Sequence, residues 1–353
     1  MFGDSVGINS ASPENPDKQS LTRALVVFVV LAFGLSWLIA LPLWLGDGMQ
    51  TRGFSLYLLA MMATPTIAAV VSVLLVERPV RKLQALGITP LQPVGRLIGF
   101  SALAVVLVFL LCLLALPMGA LFGVYHADFT GLSGFKQLLD EQMRAANLPP
   151  IPLSPGVLLA LQFLNIAIAS LVINVIPALG EEIGWRGWLL PRLVKRFGPW
   201  WSIAISGIMW GLWHSPVILL GYNYPDTPGW LSVLAMTAMC TVVGGIFGWL
   251  RLRGGSVWPA AFAHSTFNAS AGVFALFMAA DTQVDTLHAS ILGWSGWIIP
   301  AVLLIVIVLT GQFRAVGETV RPPMTHWPTV EVSTDPLPVK DREFNDESHH
   351  SRH

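Results

Sequence analysis

Residues Leu97–Tyr125 read LIGFSALAVVLVFLLCLLALPMGALFGVY, 29 residues without one charged side chain. A helix needs about 20 mostly apolar residues to cross a bilayer, and this run exceeds that with room to tilt. Seven further runs share its character: Ala24–Leu45, Phe54–Val76, Pro155–Leu179, Trp201–Leu220, Trp230–Leu250, Val257–Ala280 and Ile291–Gly311. Backbone groups in lipid must be satisfied within the segment, so such runs form helices. The expected fold is all-α: a polytopic membrane bundle of about eight transmembrane helices, spanning residues 21–311.

Composition agrees. Hydrophobic residues make up 54% of the 353 and charged residues only 11%, against about 25% charged in soluble domains. Disordered, collagen-like and disulfide-framework proteins are excluded, and a soluble enzyme is disfavoured. Twenty Lys and Arg balance 20 Asp and Glu, so no basic face points to nucleic acid. Cys112 and Cys240 both lie in apolar runs and read as packing residues.

Charge placement orients the bundle. With the N-terminus inside, inner segments carry 17 of the 20 Lys and Arg; outer segments carry only Arg52, Lys136 and Arg144. Positive charge is retained on the cytoplasmic side, so both termini are expected there, in a multi-pass protein of the cytoplasmic membrane. The first run is read as an anchor rather than a cleaved signal, because it exceeds the about 7–15 apolar residues of a signal core. Residues 1–20 and 312–353 are polar and expected to be disordered. The terminal His349-His350-Ser351-Arg352-His353 is read as a solvated tail. Ala127–Pro152 is an outer loop with an amphipathic stretch near Phe135–Ala146. No internal repeat is evident.

Once loops and tails are set aside, three charges remain in or beside the spans: Glu181, Glu182 and Arg186. A charge at the bilayer centre costs about 2.5–3.5 kcal/mol even on insertion scales. Adjacent helical residues lie about 100° apart, so the two carboxylates cannot face one point. Arg186 is four residues after Glu182, the spacing of a same-face ion pair. That leaves Glu181 free to act as a general base.

Depth selects its partners. Gly198-Pro199 is a turn signal, and Trp200 and Trp201 mark the membrane interface. Glu181 and His214 lie at nearly equal distances from that turn, roughly 25 Å along antiparallel helices. His264 and Asn268 share one face of the seventh span at similar depth. Trp258-Pro259 predicts a kink before them. Glu181, His214, His264 and Asn268 can therefore converge from three helices. Trp210, four residues before His214, is expected to pack under its ring. Asn165 and Asn174 read as interhelical hydrogen-bonding residues. His126 and His288 fall in outer loops.

Glu181-Glu182-x-x-x-Arg186, Trp210-x-x-x-His214 and His264-x-x-x-Asn268, in that order on successive helices, resemble the three motifs of the CPBP family. These are the Abi or CAAX-protease-and-bacteriocin-processing intramembrane endopeptidases, which include the type II CAAX prenyl endopeptidases. The resemblance covers roughly Val172–Gly272, within a motif core of about 155–280. The family's second motif usually begins with Phe, where this chain has Trp210. By that resemblance, Glu181 activates a water with help from His214, and His264 with Asn268 stabilises the oxyanion. Glu182, Arg186 and Trp210 support them.

The residue chemistry is compatible: hydrolysis needs a base, oxyanion donors and a water path. Water is expected to enter from the basic inner rim. Glu181, His214 and His264 are also candidate Zn²⁺ ligands, although the H-E-x-x-H motif is absent. A metal-free, glutamate-dependent site is preferred, with Zn²⁺ as the alternative. The expected partner is a peptide or membrane-protein substrate; its sequence and any prenyl group are not legible, nor is the oligomeric state. Two other functions compete. A membrane scaffold or immunity protein would keep working after Glu181 substitution. An ion-coupled transporter is disfavoured, because such proteins often carry repeats and the first three spans hold no counterpart of these polar groups.

Overall fold

The computed structural model describes residues 16–313. The tail motif at His349–His353 and most of the polar N-terminus lie outside them. Its described helices include α1 Pro16–Leu45, α2 Phe54–Glu77, α3 Val94–Leu121, α4 Ser133–Ala145, α5 Pro155–Ile173, α6 Val175–Glu182, α7 Leu190–Trp213, α8 Gly229–Gly254, α9 Trp258–Ser270 and α10 Trp294–Leu309. Among the described residues, α1, α2, α3, α5 and α8 are long and apolar enough to cross a membrane.

The other three apolar runs are helical but shorter or interrupted. Helix α7 is broken at Gly198, whose φ of 75° belongs to the left-handed region that glycine tolerates. Helix α9 has 13 residues and α10 has 16. The N-terminus differs as well: α1 begins at Pro16, inside the stretch expected to be disordered. Proline suits a first helical turn, because its missing N–H would have had no intrahelical partner.

Pro259 corrects a second expectation. It occupies the first turn of α9 rather than its interior, so it starts the helix without kinking it. The irregularity comes at the other end, where α9 tightens into a 3₁₀ segment over Ala271–Leu276.

Helix α8 is the hub. It packs against α7, α9, α10 and α3, and 61% of its apolar window is buried, against 6% for the peripheral α5. Helix α1 lies along α2, and α2 in turn meets α6. Leu171, Val172, Ile173 and Ile176 all face outward, as expected of a lipid-facing surface. From Glu182 the chain continues through a π-helical turn, Ile183–Leu189, directly into α7. The predicted amphipathic stretch is α4, lodged beside the 3₁₀ segment. Cys112 and Cys240 are both buried free thiols.

Candidate active site

The two carboxylates part company at once. Glu182 is fully buried, and its Oε1 accepts from Arg186 Nη1 at 2.8 Å and lies 3.0 Å from His264 Nδ1. Arg186 is itself fully buried. Its guanidinium lies 4.1 Å from the Trp210 ring centroid and 5.5 Å from that of Phe247. One carboxylate and two aromatic faces thus compensate a buried cation. Several nearby polar atoms, Glu182 Oε2, Arg186 Nε and Nη2 and Trp185 Nε1, have no protein partner.

Glu181 turns elsewhere, as the 100° step between neighbours requires. Its Oε2 accepts from Trp210 Nε1 at 2.8 Å. That bond leaves Oε1 available to a water. Trp210 therefore does more than pack. One indole donates to Glu181, covers Arg186, and meets the rings of His214 and His264 at 5.6 and 5.3 Å. Its i−4 spacing from His214 was legible in the sequence; the partner of its N–H was not.

His214 caps the end of α7. Its Nδ1 lies 2.8 Å from the Trp210 carbonyl. A carbonyl only accepts, so Nδ1 carries the proton and Nε2 keeps a free lone pair. His264 is buried and contacts Glu182 through Nδ1. A Glu182 carboxylate paired with Arg186 accepts that bond, so Nδ1 donates here too. That hydrogen bond ties His264 to Glu182 rather than to Glu181. Asn268, one turn further along α9, is exposed.

The four residues share one cavity of about 810 Å³. Glu181, His214, His264 and Asn268 all line it, together with Asn174 and Tyr222. Asn174, at the junction of α5 and α6, is seven residues before Glu181 on a similar face; Asn165 does not line the cavity. Tyr222 and Asn223 come from the loop after α7, where no periodicity marks a side chain's direction.

The route of access differs from expectation. No residue of the basic segments near Arg78–Pro93, Arg192–Arg196 or Arg251–Val257 lines the cavity. On that side lie the fully buried Trp185, Arg186 and Trp188, with Phe28 stacked on Trp188 at 4.8 Å. The lining runs the other way, to Met49, Pro225, Val284 and Thr286. Large side chains on the Ile183–Leu189 turn close the basic side.

A metal ion needs three or more ligands converging on one point. Among the described residues, no group of three His, Cys, Asp or Glu is arranged to hold one. Glu181, His214 and His264 line the cavity without forming such a cluster. As placed, these side chains do not make up a three-ligand metal site.

Comparison with known proteins bears on this same stretch. Residues 163–270 match the family model described as type II CAAX prenyl endopeptidase, Rce1-like. The motif-bearing segment is similar to that family. All four cavity residues, Glu181 to Asn268, lie inside it. A curated relative of the Rce1-like segment is CAAX prenyl protease 2 of Methanococcus maripaludis, 35% identical over 54 residues. That alignment covers 15% of this chain and 20% of the relative, so the chain matches about a fifth of the relative's length. The Rce1-like match ends at residue 270, and the first three membrane helices precede it.

Proposed function

We propose that this protein is an intramembrane endopeptidase of the cytoplasmic membrane, with both termini cytoplasmic, that hydrolyses a peptide bond with water activated at Glu181. The observation that carries this reading is a single cavity wall bearing a carboxylate, two imidazoles and an amide, with one Glu181 oxygen free of protein partners.

The chemistry follows from the hydrogen bonds. Water held by Glu181 Oε1 and His214 Nε2 gives up a proton as its oxygen attacks the scissile carbonyl carbon. The carbonyl π-pair moves onto oxygen, and the Asn268 amide donates to the oxyanion. His264 donates through Nδ1 to Glu182, which fixes its ring against the cavity. Collapse of the tetrahedral species breaks the C–N bond, and the proton taken from water passes to the leaving amine. Trp210 keeps Glu181 oriented throughout. The substrate is a peptide segment of a polypeptide at the membrane.

Glu181→Gln tests the proposal. The carboxamide is nearly isosteric, and its oxygen can still accept from Trp210. Cleavage of a membrane reporter protein should fall to background while the variant inserts and melts like wild type. Turnover that survives this substitution would remove Glu181 as the base.

A further inference from the structure

The two ends of the bundle differ in charge, and the cavity reaches only one of them. Side-chain hydrogen bonds define each end. At one, Arg192 binds Glu77 at 2.5 Å, Arg96 Nε binds the Arg253 carbonyl at 2.7 Å, and Trp258 Nε1 binds the Ile88 carbonyl at 3.3 Å. At the other, Trp44 Nε1 binds the Pro216 carbonyl at 2.8 Å, Tyr224 binds the Leu292 carbonyl at 2.9 Å, and Thr286 binds the Asn223 carbonyl at 2.5 Å.

Within residues 19–313, the first end holds ten Lys and Arg against one acidic residue, Glu77. The second holds three Lys and Arg against seven acidic residues. Segments rich in Lys and Arg stay on the cytoplasmic side, whereas Asp and Glu contribute little to orientation. The ten-to-three division of basic residues therefore puts the second end outside. The cavity walls run from Glu181 to Met49, Pro225, Val284 and Thr286, all at this second end. Pro225 is exposed.

We infer that the cavity receives its peptide from the non-cytoplasmic face. The substrate class is then a segment of an exported or membrane-inserted polypeptide at or beyond the outer leaflet. A cytosolic tail is not in this class. That the occupant is a substrate rests on the endopeptidase reading; the direction of access rests on the cavity and the charge division alone.

The side of access is measured without any cleavage assay. Single cysteines replace Pro225 at the rim, Ala271 one turn beyond Asn268, and Lys195 at the basic end. The native Cys112 and Cys240 are buried and give little background. Intact spheroplasts are treated with a membrane-impermeant maleimide, before and after permeabilisation. Pro225→Cys and Ala271→Cys should label in intact spheroplasts, and Lys195→Cys only after permeabilisation. Labelling of Lys195→Cys alone from outside would overturn the orientation. Labelling of Pro225→Cys without Ala271→Cys would show a closed mouth and overturn the access. Thr286→Cys serves as the rim probe if Pro225→Cys does not insert. Loss of the endopeptidase reading through Glu181→Gln would leave this labelling pattern unchanged, so the two failures are distinguishable.

Discussion

At the residue scale, Glu182 and Arg186 form the part of the site that chemistry does not consume. Removing one member of a buried pair leaves the other charge uncompensated, at a cost of about 3–5 kcal/mol. Arg186→Ala should therefore lower the melting temperature in detergent sharply. An Arg186→Ala protein as stable as wild type would contradict the pairing at 2.8 Å. Trp210→Phe separates the two uses of that indole. The ring over Arg186 remains, and the N–H to Glu181 is lost. An unsatisfied buried acceptor costs about 1–3 kcal/mol, so stability should drop by that amount while cleavage persists. Complete loss of cleavage in a folded Trp210→Phe protein would assign the N–H to the chemistry itself.

At the element scale, the site depends on how closely α7 and α8 approach. A Cβ at Gly211 would fall inside contact distance of the Thr237 Cα, and one at Gly207 would meet the Thr241 Cα in the same way. Backbone cannot yield as a flexible side chain does. Gly211→Ala should push α7 from α8, moving Trp210 and His214, and destabilise by about 1–3 kcal/mol as overpacking does. Gly99→Ala, with open space around the added carbon, is the matched control and should melt like wild type. Equal melting of the two variants would show that the helices adjust freely. The π-helical turn after Glu182 belongs at this scale too. It places Trp185 and Trp188 behind the carboxylates, and those two indoles close the basic side.

At the scale of the whole molecule, the basic end acts as a clamp remote from the cavity. Arg192 ties the start of α7 to Glu77 at the end of α2 and to the Ala85 carbonyl. Glu77→Ala should lower stability modestly, by about 1–3 kcal/mol for lost bonds to a charged group, without changing cleavage per folded molecule. A changed rate in that variant would mean the clamp reaches the site. Neither Glu77 nor Arg192 lines the cavity.

The sequence by itself determined the all-α membrane architecture, because a lipid environment leaves the backbone few alternatives and apolar runs announce themselves by length. It also determined which polar residues to suspect, since charge inside a span is costly and therefore rare. The spacing of Glu182 and Arg186 further identified their pairing, a local relation within one turn. Tertiary structure alone decided the rest. His264 meets Glu182, and Trp210 donates to Glu181, because helices distant in the chain set those contacts. Helical periodicity carries no term for a neighbour on another helix. The side on which the cavity opens was likewise beyond sequence reading. It depends on which end of the bundle the large side chains of Ile183–Leu189 fill, and that follows from packing among four helices rather than from any one segment.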